Sequence, residues 1–315
     1  MELKLYVDRL SQPSRALLIF CKANVIEFEE VKIELGKMQH RSPEFAEINP
    51  MRKVPAIVHA DFKLFESHAI LVYLASAFPG VADHWYPADV HKRAKIHSVL
   101  DWHHSNLRRG SEINPMKKLP AIVDGRFKLF ESHAILIYLA SVFPGVADHW
   151  YPADLFKRAK IHSVLDWHHS NLRRGAATYV FNSALAPALG MPLNPEVAAE
   201  SEKLLSASLA KIESVWLKGK GRFLLGSLQP SIADLSLVCE IMQLEVVDEK
   251  DRERILGPHQ RVLKWIDDTK NATQPYFDEV HSILFKVKEK LKKLQAEQGA
   301  GANESIGRTT LHSKM

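Results

Sequence analysis

Leu3-Lys-Leu-Tyr-Val-Asp-Arg-Leu-Ser-Gln-Pro-Ser-Arg15 decides how this chain folds. Leu3, Leu5 and Val7 alternate as a short strand does. Ser11 then stands ahead of Pro13, which suits a first helical turn because the amides there have no intrahelical partner. Ala16 to Cys21 supply the apolar body of that helix, and Phe28 to Ile33 read as a second strand. Strand, helix, strand with short connections implies a right-handed crossover and a parallel pair. Downstream, Ser42-Pro-Glu-Phe starts a short helix, and Asn49-Pro-Met-Arg-Lys-Val-Pro-Ala-Ile-Val58 ends as a third strand. Phe62 to Phe65 form a fourth strand, and Glu66-Ser67 opens a helix through Ala69, Ile70, Tyr73 and Leu74 that stops at Pro79-Gly80. The order is βαβ and then ββα. From Asp89 the apolar spacing turns helical, with Ile96, Val99, Leu100 and Leu107 near one face.

This unit then recurs. Glu47 to Gly110 reappears as Glu112 to Gly175, 64 residues at an offset of 65 with nine substitutions. Solenoids need three or more diverged units, so two near-identical copies read instead as a tandem duplication within an ordinary domain. Beyond Gly175 the segments Pro195–Leu217, Ser231–Val246 and His259–Thr269 read as helices, and Ser231-Ile-Ala-Asp234 is a capping-box pattern. A mixed α/β part followed by an all-helical part implies two packed domains.

Composition narrows the function classes. The chain is 46% hydrophobic and 25% charged, enough for a sizeable core. Its 42 basic residues face 37 acidic ones along the whole length, a mixed surface rather than a nucleic-acid-binding arm. The dense run Lys286 to Lys293 fits a helix with Val280, Ile283, Leu284, Val287, Leu291 and Leu294 along one face. Cys21 and Cys239 lie far apart in apolar stretches, so both are expected in the core of a protein from a reducing compartment. No secretory signal or membrane span is read, and no nucleic-acid or membrane partner is expected. Histidines 97, 103 and 104 recur as 162, 168 and 169, without the spacing of a zinc motif, and no metal is expected. A Gly-x-Ser-x-Gly elbow is absent.

Four segments together resemble the theta-class glutathione transferases, most closely the plant members: Leu-Ser-Gln-Pro-Ser-Arg at 10–15, Asn-Pro-Met-Arg-Lys-Val-Pro-Ala-Ile at 49–57, Leu-Phe-Glu-Ser-His-Ala-Ile at 64–70 and Pro-Ser-Ile-Ala-Asp-Leu-Ser at 230–236. The similarity runs to about Leu294, apart from the second copy. It implies an α/β plus all-α fold: a thioredoxin-like glutathione-binding domain over 1–80, the extra long helix and second ββα unit over 81–145, and the helical glutathione-transferase domain over 146–297. Residues 298–315, rich in glycine, are expected as a disordered tail. The resemblance implies transfer of glutathione to hydrophobic electrophiles, reduction of organic hydroperoxides, and a homodimer. A catalytically impaired or non-catalytic ligand-binding protein is the alternative, because of the repeat.

The resemblance also assigns roles. A thiol of pKa near ~8.5 is only about 3% thiolate at pH 7. Ser11 stands where the family has its catalytic serine, although without the family motifs the residues favour a helix cap. Gln12 follows it in the site. Val54-Pro55 resembles the cis-proline turn that meets the cysteinyl part of glutathione, Glu66 and Ser67 suit its γ-glutamyl end, and His40 and Lys53 its glycyl carboxylate. The second copy offers Leu119, Pro120, Glu131 and Ser132, but no serine motif of its own. The electrophile pocket is expected near Trp102 or Trp167 and Arg108 or Arg173.

The two copies compete for one place. Closing a loop of about 70 residues rather than about 6 costs an extra ~2 kcal/mol, which favours the first ββα unit beside the N-terminal βαβ. The second long helix, Ala153 to Arg174, should then serve the helical domain, with the break near Pro79 to Pro87. The final Ser313-Lys-Met resembles a peroxisomal address read by an import receptor, giving a peroxisomal and/or cytosolic expectation.

Overall fold

A computed structural model describes residues 2–105 and 120–311 of the chain, which forms two compact units. The first contains residues 1–171 and 214–237. Its sheet is built on β1 (Leu3–Val7), which pairs in parallel with β2 (Glu29–Lys32), Lys4 opposite Glu29. On its other edge β1 pairs antiparallel with β3 (Ala56–His59), Tyr6 opposite Ala56, and β3 pairs with β4 (Phe62–Phe65). The order is β2-β1-β3-β4, as the βαβ and ββα pattern implies. Helix α1 (Gln12–Ala23) makes the crossover, and α2 (Pro43–Ile48) is capped by the Ser42 hydroxyl, which accepts from the Phe45 amide at 3.1 Å. Helix α3 (Ser67–Ala77) follows β4. Leu3, Leu5, Leu17, Ile57, Leu64 and Ile70 are almost wholly buried in one core. Each contributes about 1.5 to 3 kcal/mol of burial.

The first copy of the repeat therefore completes the sheet. Helix α4 (Val90–Ser105) comes next, then β5 (Ala121–Asp124) and β6 (Phe127–Phe130), which pair with each other as a separate two-stranded sheet. Helices α5 (Ser132–Val142) and α6 (Leu155–Ser170) finish the second copy. Helix α6 lies against α3, whereas α4 lies against α5. The Ser163 hydroxyl donates to the Phe65 carbonyl at 2.9 Å, and Asp166 Oδ2 accepts from the Ala69 amide at 2.9 Å. Leu129, Ala134, Ile135 and Tyr138 form a smaller core with Ala94 of α4. These contacts gather the inserted segment and α6 into the same unit as the sheet, rather than leaving α6 with the helices after it.

The second unit contains residues 172–213 and 238–315. Helices α7 (Leu172–Val180) and α8 (Pro195–Lys211) approach closely at Gly175, where a Cβ would come within 2.8 Å of the Leu205 backbone. Helix α9 (Ile232–Ile241) begins in the first unit, where Asp234 Oδ2 accepts from the Ser231 amide at 2.8 Å, the reach-back bond of a capping box, and Oδ1 also accepts from the Leu224 amide at 2.9 Å. Then come α10 (Glu249–Leu256), α11 (Gln260–Ala272) and α12 (Tyr276–Leu311).

Three expectations change. Helix α12 continues to Leu311, through the described part of the stretch read as a disordered tail, because glycine in a helix costs only about 1 kcal/mol against alanine. On that helix Val280 and Ile283 are exposed, while Phe277 and His281 are buried, so the covered stripe lies to one side of the one expected. Cys21 is buried as expected, whereas Cys239 is exposed, since the largely apolar α9 does not bury every side of itself. Ser313, Lys314 and Met315 lie outside the described residues.

Candidate functional site

Ser11 occupies the N-cap position of α1 with extended backbone angles, but its side chain accepts no bond from the helix amides. Ser11 is half-buried. Its backbone is fixed from both sides: the Ser11 amide donates to the Asp8 carbonyl at 2.9 Å, and Arg15 donates to the Arg9 and Leu10 carbonyls. Buried Asp8 accepts from the Leu10 and Leu35 amides at 2.8 and 2.9 Å. Those two amides hold its carboxyl below the usual carboxylate range. The turn before Ser11 is thus tied to the segment after β2.

A pocket beside α1 is lined by Pro13, Asn49, Lys53, Val54, Pro55, Glu66, Ser67 and Ser170. The Val54-Pro55 peptide is cis. Asn49 shapes the loop before it, donating to the Lys53 carbonyl at 2.6 Å and accepting from the Met51 amide at 2.9 Å. Glu66 caps α3 with φ 72°, a conformation that turns the chain sharply from β4 into the helix. The first amides of a helix lack intrahelical partners and draw anions. One of them, from Ala69, is taken by Asp166. Burial, followed by the charges of Glu66 and Asp101, pushes the Asp166 carboxyl well above the ordinary range.

The fold thus brings Lys53, Val54, Pro55, Glu66 and Ser67 together around one pocket, with Ser11 two residues from Pro13. His40 is half-buried in a short turn at Gln39–Arg41 and does not line it. The side chain of Gln12 lies outside what the structure describes, as do Leu119 and Arg108. In the second copy, Glu131 repeats the sharp turn with φ 72°, and Ser132 opens α5, but Pro120 is exposed and β5 pairs with β6 rather than with β1. That half-site has no Ser11 helix beside it among the described residues. Trp167 is buried against Trp216, with ring centres 6.1 Å apart, and Arg173 Nη1 donates to Glu240 at 2.9 Å. Trp102 is half-buried.

Asp8, Asn49, Asp166 and Ser170 were not picked out by sequence reasoning. Asp8 and Asn49 had a local signal, since both sit in turns where a short polar side chain bonds the backbone two residues on. Asp166 had none, because it reaches Ala69 from 97 residues away. Burial raises the Cys21 thiol to about 12, so it remains protonated and is no nucleophile. Elsewhere in the unit, buried His133, His168 and His169 have ring nitrogens within 4.8 Å of one another, a grouping the chain spacing does not announce. His133 Nε2 bonds the Ser236 hydroxyl at 2.7 Å and lies 3.1 Å from His168 Nδ1. None of these three lines the pocket beside α1.

Comparison with known proteins bears on this site. The family described as "Glutathione S-transferase, N-terminal domain" matches residues 1–76 and again 111–141. Glutathione S-transferase T1 of Arabidopsis thaliana is 54% identical over 93% of this chain and 93% of its own length. Glutathione S-transferase T2 of the same plant is 52% identical over 93% of this chain, which spans 39% of that longer relative. Among solved structures, human glutathione transferase theta-2 in complex with glutathione is 26% identical, with a TM-score of 0.41 over 92% of this chain and 90% of that one.

Proposed function

The chain belongs to the theta-class glutathione S-transferases, and from that premise we propose that it binds glutathione in the pocket beside α1 and activates the thiol through Ser11. The observation that carries this reading is the Ser11 hydroxyl at the N-cap of α1, which accepts no bond from the helix amides among the described residues. A serine committed to capping would accept from the helix amides; this one can donate to a sulfur anion.

A charge-assisted hydrogen bond of ~1.5 to 3 kcal/mol lowers a thiol pKa by about 1 to 2 units. Two units would bring a pKa of ~8.5 to ~6.5 and make about three quarters of the bound thiol anionic at pH 7. The thiol proton leaves to solvent, and the thiolate attacks an electrophilic carbon, forming the S–C bond as the leaving group departs with its electron pair. With an organic hydroperoxide the same thiolate attacks the terminal oxygen, the O–O bond breaks to give a sulfenic acid and an alkoxide that takes a proton from solvent and leaves as the alcohol, and a second glutathione thiol displaces water from the sulfenic acid to form the disulfide. Glu66 and Ser67 suit the γ-glutamyl ammonium and carboxylate, the Val54 backbone the cysteinyl amide, and Lys53 the glycyl carboxylate. Gln12 and His40 are proposed on resemblance alone.

Conjugation and hydroperoxide reduction by the full chain are to be measured beside Ser11→Ala. Loss of kcat by tenfold or more, with a bound-thiol pKa raised toward ~8.5, is expected. Unchanged rates and an unchanged pH profile would remove Ser11 from the chemistry. If the wild-type chain binds glutathione but catalyses neither reaction, the non-catalytic alternative holds.

A further inference from the structure

The two copies of the repeat meet each other in a reciprocal way. Asp166 of the second copy accepts from the Ala69 amide of the first at 2.9 Å, and Asp101 of the first accepts from the Ala134 amide of the second at 3.0 Å. These are the same two positions, exchanged. Phe156 packs on Phe62 and Tyr73, at 4.9 and 6.0 Å between ring centres; its counterpart His91 packs on Phe127 and Tyr138, at 4.9 and 5.6 Å. Lys160 lies over Phe62 and Lys95 over Phe127, each at 5.7 Å. Each ββα unit is therefore covered by the other copy's long helix.

The centre of this arrangement is more telling. His97 and His162 are equivalent positions, and their rings touch each other at 4.9 Å between centres. Each accepts or donates in turn to its own copy's tyrosine, Tyr86 with His97 at 2.8 Å and Tyr151 with His162 at 2.7 Å. Arg93 and Arg158 stack on those tyrosines at 4.4 and 4.3 Å. A position that meets its own equivalent lies on a local twofold axis, the mark of an isologous interface. Within a chain carrying one copy, an α3-type helix could meet its own long helix. A histidine at this position could meet its equivalent only in a second chain.

We propose that the second copy stands in for a second subunit: it covers, within one chain, a twofold face that a single-copy chain would present to another copy of itself. The protein is then a monomer, in place of the homodimer that the family resemblance implied. The chemistry at Ser11 does not enter this argument, so the two readings fail separately.

Light scattering of the full chain over a wide range of concentration tests it. One chain mass, 35.7 kDa, is expected throughout, with a melting temperature that does not move with concentration. A mass of two chains, or a concentration-dependent melting temperature, would overturn the proposal. A variant lacking residues 80–144 retains the first ββα unit and α6, and is expected at twice its own chain mass. His162→Glu in that shortened variant should return it to one chain, since two carboxylates would face each other across the axis. A shortened chain that folds and stays monomeric without that substitution also overturns the proposal; if it does not fold, the full-chain measurement decides.

Discussion

Replacing Asp166 separates its two physical roles. It is buried, its Oδ2 accepts the Ala69 amide at 2.9 Å in the first turn of α3, and it lies near the charges of Glu66 and Asp101. Asp166→Ala removes the acceptor and leaves a buried amide unpaired, which costs about 1 to 3 kcal/mol. Asp166→Asn keeps an oxygen of the same reach and removes the titration. The sign follows from the raised pKa: between 3.8, the unfolded value, and the higher folded value, the folded chain holds a proton that the unfolded chain has released. Stability from this group is complete below 3.8 and is lost as pH rises through the folded value, by up to about 1.4 kcal/mol per pH unit. Urea unfolding followed by tryptophan fluorescence across a pH series should show Asp166→Ala destabilised throughout. Asp166→Asn should match or exceed wild type above the folded pKa and lack that component of the slope. The equivalent Asp101→Ala, which frees the Ala134 amide, should lose comparable stability while leaving KM for glutathione unchanged, whereas Asp166→Ala should raise it. An Asp166→Asn variant as unstable as Asp166→Ala, or an Asp166→Ala variant within about 0.5 kcal/mol of wild type, would refute the reasoning.

Other outcomes follow from the same geometry. Burial lowers His97 to about 4 and His162 well below its ordinary 6.5, so stability should fall as pH drops below 6.5 and the unfolded chain takes up protons; His97→Gln should remove one proton's share, about 1.4 kcal/mol per pH unit, from that slope in acid unfolding. Gly175→Ala should destabilise by about 1 to 3 kcal/mol in thermal unfolding, because the new Cβ meets the Leu205 backbone rather than a side chain that can move. Arg173→Met should lower stability by about 1 to 3 kcal/mol, measured in urea, by leaving the Glu240 carboxylate, 3% exposed, without its guanidinium; Arg173→Lys should recover part of it.

Much of this was legible in the sequence because it is local. The β1, α1 and β2 order follows from alternation and from Pro13; the Ser231 to Asp234 cap follows from a four-residue pattern; and loop closure alone selected the first ββα unit to complete the sheet. The pocket-lining Lys53, Val54, Pro55, Glu66 and Ser67 could be named because short motifs at the end of one loop and the start of one helix carry them. His40 matched the same family pattern, yet it sits in a turn that does not line the pocket. The stripe on α12 was misplaced because several overlapping apolar faces satisfy the same periodicity.

The sequence by itself determined the βαβ and ββα order of the first sheet, that one unit occurs twice, and the short motifs that carry Lys53, Val54, Pro55, Glu66 and Ser67. Those properties depend on neighbours a few positions apart. Only the tertiary structure decided that Asp166 braces α3, that each long helix covers the other copy's ββα unit, and that His97 meets His162. Two nearly identical segments offer the same side chains to any partner, so their order in the chain cannot say which pairs form. Packing decides it, because one arrangement pairs the α3 and α5 amides with buried carboxylates and covers both ββα units at once.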